Sequence, residues 1–443
     1  MQASPDRSHA FSLRRIFSDA AVIIGGSMIA NAFNYLYHFV LSRRLGPDDY
    51  GTLATLLAGL MILSVFGGAV SVVAMQETAK LWAFKRSAQT GWFVRRLLPA
   101  VLAIALTVGA LSFAVSFLAG PYLHIVSLPL WMAFAALLSL GIVTAFFRGA
   151  AQGAHRFALF ALSYTSETFV KLVSAVALVA AGMAVFGAIS GALIGVFVGL
   201  LVAAVPLVGQ AAATTHVEAE TTHIELGGRS IQVLAVNACV LLLLFVDQLF
   251  AKHHLAGAEA GLYGAAGTIA RTIPFGLAMI SLVVNPKAAA AFHVSRGALR
   301  HLLAIAFGAG VLAASAGLAI AALAPVQLLA LTYGSKFVAA AGLLRLYALA
   351  GALLGIAALG TGYLQSVGSY RITWALVAAV LIEAALMAVW GTSGTRLLTI
   401  AIAVNAALLP AVAAAILGTL REAPQALGQP ADEAALVHES RLL

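Results

Sequence analysis

One cysteine and few charges mark this chain: of its 443 residues only Cys239 is a thiol, and 9% of the side chains are charged. Cys239 lies inside an apolar run, so neither a disulfide framework nor a cysteine-held metal site is available. The scarcity of charge excludes more. With 62% hydrophobic residues and a mean hydropathy of +1.01, a water-soluble globular domain would expose far too much apolar surface. Enzyme signatures are missing too. There is no Walker A motif, no dinucleotide-binding glycine pattern after a strand, no H-E-x-x-H and no nucleophile elbow. The sequence therefore predicts no cofactor, no metal and no catalytic role.

What the chain has in abundance is apolar runs of spanning length. They fall at 20–41, 50–74, 97–119, 128–147, 157–180, 184–209, 230–250, 261–284, 299–323, 341–361, 371–391 and 395–418. Each is long enough to cross a hydrocarbon core of about 30 Å. The first is longer than the roughly 7–15 residues of a signal-peptide h-region, so it is read as a span rather than a cleaved leader. The predicted fold class is an all-α polytopic membrane protein of about twelve transmembrane helices. Between the fifth and sixth runs Gly182 is the only break, and merging the two would give a segment far too long for one crossing.

An internal echo organises these runs. SRRLGPDDYG, 42–51, returns as KHHLAGAEAG, 252–261, which matches Leu45 to Leu255, Asp49 to Glu259 and Gly51 to Gly261. A second pair of links, Ala151-Gln152 to Arg156 and Leu364-Gln365 to Arg371, lies at nearly the same offset. A duplication follows. It predicts six-helix bundles at 20–209 and 230–418, a linker at 210–229, a polar segment at 1–19 and a disordered tail at 419–443. Six helices per half make both halves enter from the same side, so the predicted repeat is parallel, with a pseudo-two-fold axis along the membrane normal and a cavity between the bundles.

Most of the 25 Lys and Arg residues fall in segments that a cytoplasmic N-terminus would put inside, which predicts both termini in the cytoplasm. The formal charge of +9 then reflects orientation and attraction to anionic membrane lipids, and nucleic-acid binding has no place in the account. Between the second and third runs, 76–96 mixes Lys80, Lys85, Arg86, Arg95 and Arg96 with Trp82, Phe84, Trp92 and Phe93. That pattern fits an interfacial amphipathic segment, or a positive-inside loop with aromatic belt residues.

Ionisable groups at membrane depth are costly unless they face protein or a wet cavity, so the few present are informative. In the fifth run Glu167 and Lys171 lie about 15 Å and 21 Å in, spaced i, i+4 with the acid first, which suits a structural pair or an ion-coupling site. Arg271 in the eighth run and Glu383 in the eleventh lie about 15 Å and 18 Å deep, and neither has an opposite charge at i±3 or i±4. The seventh run adds Asn237, Asp247 and Gln248. The first run carries Asn31, Asn34, Tyr35, His38 and Ser42 along one side, either a packing seam or a cavity wall, with the wall favoured because the first and seventh runs are repeat partners.

SRRLGPDDYGTL after a polar first helix resembles the R-x-L-G-P-E-D-Y-G region of the polysaccharide transporter family, the O-antigen type flippases of the multidrug and oligosaccharidyl-lipid exporter superfamily. RGAAQGAHRF, 148–157, is similar to that family's link between helices 4 and 5, and Glu167 with Lys171 resembles its acid-then-base pattern in helix 5. After Gly67-Gly68 the chain departs from the pattern, with Gln76-Glu77 where the family has a basic residue. The resemblance covers most of the N-terminal half and thins to repeat-level likeness beyond it.

The resemblance implies that a polyprenyl-pyrophosphate-linked oligosaccharide is moved from the inner to the outer leaflet of a bacterial plasma membrane. The cavity would be lined by helices 1, 2, 7 and 8, and other polysaccharide assembly proteins would be partners. Arg271 then suits the pyrophosphate as a bidentate fork, helped by Arg43 or Arg44 at the outer mouth, while Asn31, Asn34, Tyr35 and His38 meet sugar hydroxyls. A drug or metabolite exporter of the same fold is the alternative. A membrane-embedded polymerase or ligase would want a larger outer loop, and a non-transporting scaffold would leave Arg271 and Glu383 without a reason to bear their insertion cost.

Overall fold

The computed structural model describes residues 13–83, 89–211 and 228–424. Every element in them is helical, as expected where no water reaches the backbone and each N–H and C=O must be satisfied within its own segment. In order they are α1 (Leu13–Ala83), α2 (Thr90–Tyr122), α3 (Leu128–Gly153), α4 (Phe157–Leu178), α5 (Ala184–Ala211), α6 (Gly228–His254), α7 (Gly257–Ala270), α8 (Thr272–Val294), α9 (Arg296–Leu323), α10 (Pro325–Thr332), α11 (Ala341–Ser366), α12 (Thr373–Trp390) and α13 (Gly394–Glu422). Serines set two of the starts: Ser295 accepts from the Gly297 amide before α9, and Ser393 from the Arg396 amide before α13.

Among the described residues ten helical runs are long and apolar enough to cross a bilayer, and the chain is a multi-pass membrane protein. The run Val22–Ala83 has 62 residues, about 93 Å if straight, far beyond a core of about 30 Å. It folds back at Gly46, whose φ of 75° is left-handed and open to glycine, with Pro47 next. The run Phe157–Gly209 breaks likewise at Gly182, φ 88°, in a π turn over Val179–Met183.

A third break separates α7 from α8. Pro274 has no N–H for the Ala270 carbonyl and its ring crowds that oxygen, so the helix gives way at Arg271.

Three apolar clusters hold the helices. One, with Phe93, Phe146, Phe147 and Leu207, lies within α1 to α5. A second, with Leu243, Tyr363, Leu376 and Leu408, lies mainly within α6 to α13, with Ala58 and Ile62 of α1 packed against it. The third joins the groups at the end of the molecule where α1 kinks, packing Tyr37, Leu41 and Tyr50 with Tyr263, Tyr333 and Phe337. Within the first group α5 lies almost backbone to backbone on α4: a Cβ on Gly195 would sit 2.6 Å from the Glu167 carbonyl oxygen.

The expected interfacial segment 76–96 is largely the continuation of α1 to Ala83 and the start of α2 at Thr90, while Lys85 and Arg86 fall outside the described residues. Between α9 and α11 the chain is helical as well, with α10 and a 3-10 turn, Ser335–Ala340, because Pro325 is well placed to start a helix. Most of the linker 210–229 and of the tail also lies outside the described residues.

Candidate functional site

At the kink end the two groups of helices meet through polar contacts. The Tyr50 hydroxyl lies 2.9 Å from His38 Nδ1, 3.0 Å from the Tyr333 hydroxyl and 3.5 Å from Thr268 Oγ1. Arg43 donates to the carbonyls of Leu331 and Thr332, 2.6 Å each, capping the end of α10 where the helix dipole is negative. Its guanidinium also stacks on Phe39, 3.7 Å from the ring centroid. His253 stacks on Tyr122 and its Nδ1 lies 2.7 Å from the Tyr122 carbonyl.

Backbones touch there as well. A Cβ on Gly51 would lie 2.7 Å from the Gly261 nitrogen, and beside Gly257 the Asp48 side chain comes close, its Oδ1 2.4 Å from where a Cβ would be. Among the described residues, all side-chain hydrogen bonds between the groups lie at this end or within about three turns of it, the deepest being Gln248 to Thr55 at 3.4 Å.

Deeper in, each group holds its own cluster of charges. In α1 to α5, Arg148 donates to Glu167 Oε2 at 2.6 Å and to Ser163 Oγ and O at 2.9 Å. Lys171 donates instead to Asn34 Oδ1 and sits 4.7 Å over the Tyr37 ring. A cavity of about 290 Å³ between α1, α3, α4 and α5 is bordered by both Glu167 and Lys171.

In α6 to α13, Arg271 is buried at the break between α7 and α8. It donates to Asp247 Oδ1 at 2.9 Å, to the Leu244 carbonyl at 2.7 Å and to the Tyr347 hydroxyl at 2.5 Å, and lies over the Phe245 ring. Tyr263 and Tyr347 both donate to Asp247 Oδ2. The space left beside them is only about 20 Å³. Glu383, on α12, is fully buried with neither carboxylate oxygen hydrogen-bonded.

A family model described as "Polysaccharide biosynthesis protein" matches residues 16–292, well over half of the chain. The chain belongs to the polysaccharide biosynthesis protein family. No curated protein sequence matches it. Among solved structures, an inward-facing multidrug resistance MATE family transporter of the MOP superfamily superposes with a TM-score of 0.68 at 13% identity, over 91% of this chain and 99% of that one. The lipid II flippase MurJ in an inward closed conformation gives 0.64 at 11% identity, over 89% and 87%. A mutant of the Vibrio cholerae MATE transporter VcmN gives 0.61 at 15%, over 92% and 97%. At such identities the likeness establishes the fold, that of MOP-superfamily transporters.

For this family member the structure redistributes the site residues read from sequence. Glu167 pairs with Arg148 rather than with Lys171, because the crossing of α3 over α4 brings a guanidinium to the carboxylate. Arg271 finds its acid on a neighbouring helix, and its donors turn to Asp247, Leu244 and Tyr347 instead of an open cavity. Arg43 is held by α10, while Arg44 is exposed at the same end.

The polar side of the first helix divides: Asn31 and Tyr35 are exposed, Asn34 turns to Lys171, and His38 joins Tyr50. Sequence spacing missed Arg148, Tyr263 and Tyr347. Their partners lie on other helices, and the usable signal was that α3 with α4, and α6 with α7, are joined by short links and must therefore pack as hairpins.

Proposed function

We propose that this chain carries a polyprenyl-diphosphate-linked oligosaccharide across a bacterial plasma membrane, inner to outer leaflet, by rocking α1 to α5 against α6 to α13. Membership of the polysaccharide biosynthesis family supports the substrate class. The observation that carries the mechanism is the confinement of the polar contacts between the groups to one end, around Arg43, Tyr50 and Tyr333. A set of polar contacts present at one end and, among the described residues, absent at the other suits a pair of bodies that hinge. With the termini cytoplasmic, as the Lys and Arg distribution predicts, the closed end is the outer one and the substrate enters from inside.

Fixing the closed end tests this. With Cys239→Ala as background, Asp48→Cys with Gly257→Cys places two thiols where the Asp48 side chain already reaches Gly257. Oxidation should stop appearance of surface glycan and reduction should restore it. Normal glycan with the disulfide formed would refute alternating access through this end. The likeness to MATE transporters favours one second reading, export of a drug or metabolite. It predicts changed drug susceptibility with unchanged surface glycan when the chain is removed.

A further inference from the structure

The charges in α1 to α5 do not balance. Arg148 and Glu167 neutralise each other at 2.6 Å, which leaves the Lys171 ammonium with one amide acceptor, Asn34 Oδ1, and the face of Tyr37. No carboxylate lies within 4.0 Å of Lys171 Nζ among the described residues. An ammonium has three donors, and the Lys171 side chain borders a cavity whose walls are mostly apolar, Leu57, Leu60, Leu137, Ile142 and Val196 among them. Glu167 also borders that space, but Arg148 already engages its Oε2.

The cavity is also kept clear by glycine. Gly68 on α1 and Gly141 on α3 border it, and a Cβ on either would meet nothing within 4 Å. Interior helix glycines carry a conformational cost that is normally repaid by close helix packing. Here no helix packs on them, and what they face is the empty space.

We infer that this cavity is a binding site for the diphosphate head and first prenyl unit of the carrier lipid, with Lys171 as the anion-binding group. The inference rests on the transport reading above for its choice of phosphate over other anions. A cation held as a point charge over a phosphate, with an apolar wall for the chain that follows, is the chemistry that Lys171 and its surroundings offer. At about 290 Å³ the cavity is at the small end of the roughly 300–1,000 Å³ of ligand pockets, a size for a head group and the start of its chain but not for the glycan. The glycan and the rest of the tail would lie outside this pocket.

Binding to the purified full-length chain in detergent tests the site, with farnesyl diphosphate, inorganic pyrophosphate and farnesol as probes. Farnesyl diphosphate should bind saturably, and the other two at least about tenfold more weakly, since each lacks half of the recognised chemistry. Lys171→Gln should weaken farnesyl diphosphate about tenfold or more, Lys171→Arg should stay within about threefold, and Gly141→Leu should abolish binding by filling the space. Only variants that elute and melt like the wild type are compared, and Lys171→Arg guards against a general loss of fold.

Wild-type affinity in Lys171→Gln or Gly141→Leu overturns the site. Pyrophosphate binding as tightly as farnesyl diphosphate overturns the prenyl pocket. The two readings fail separately. If binding depends on Lys171 and Gly141 while removal of the chain leaves surface glycan unchanged, the transport reading is wrong and the site stands. If surface glycan needs the chain but binding ignores both residues, the site is wrong.

Discussion

Arg271 and Asp247 form a buried ion pair, 2.9 Å from Nη2 to Oδ1, at the point where Pro274 interrupts the helix. Their side chains are 7% and 5% exposed. Removing one partner leaves the other charged in an apolar surrounding, which costs about 3–5 kcal/mol, whereas replacing both by apolar groups is often near neutral. Arg271→Ala is therefore expected to lower membrane abundance and the melting temperature in detergent sharply. Arg271→Met with Asp247→Leu should recover most of that loss, and Arg271→Ala with Glu383→Gln should not. Recovery by the Glu383 combination instead would mean that the pair has been assigned to the wrong acid.

The kink end should loosen when its hydroxyls and guanidinium are removed. Tyr50→Phe loses contacts to His38 and Tyr333, and Arg43→Ala loses two carbonyls of α10. Each hydrogen bond is worth about 1 kcal/mol net, more for the charged donor, so each variant should raise the population separated at this end about tenfold. Spin labels at Arg44→Cys and Lys336→Cys, exposed on opposite groups, would report it as a longer distance component. An unchanged distance distribution in both variants would remove these residues from the gate.

The helical class was legible because lipid leaves the backbone no other economical choice, so apolar length alone marked the segments. Gly182 was legible as a break for the same reason of length. The pairings were not. A sequence exposes neighbours at i±3 and i±4 on one helix, but Arg148 meets Glu167 and Arg271 meets Asp247 across helices, where rotation and depth decide contact. Tyrosines counted as apolar content also proved to be the hydroxyls that hold Asp247 and bridge His38 to Tyr333. Glu383 is the instructive remainder: spacing marked it as unpartnered, and its carboxylate oxygens are unpartnered in three dimensions too.

Orientation is set by the distribution of Lys and Arg. Reporter fusions after Tyr122 and after Gly257 are expected to read as outside, and fusions within 210–229 or after Leu420 as inside. A cytoplasmic signal at Gly257 would contradict the parallel repeat, and with it the assignment of the kink end to the outer face.

The last prediction uses the matched glycines of the internal echo. Gly51 and Gly261 hold corresponding positions in SRRLGPDDYG and KHHLAGAEAG, and they lie against each other. A Cβ on Gly261 would sit 1.7 Å from the Pro47 carbonyl oxygen, an overlap that no rotamer relieves because both atoms are fixed to backbone. Gly261→Ala should therefore be unable to close the kink end while keeping each group of helices intact. The same labels at Arg44→Cys and Lys336→Cys should show the separated population dominating, with transport lost and abundance little changed. Gly276→Ala on α8, where a Cβ meets nothing within 4 Å, is the control and should behave as wild type. If Gly261→Ala closes and transports normally, the approach of the two echoes is not part of the cycle. If it simply fails to accumulate while Gly276→Ala does not, the contact is needed for folding rather than for gating.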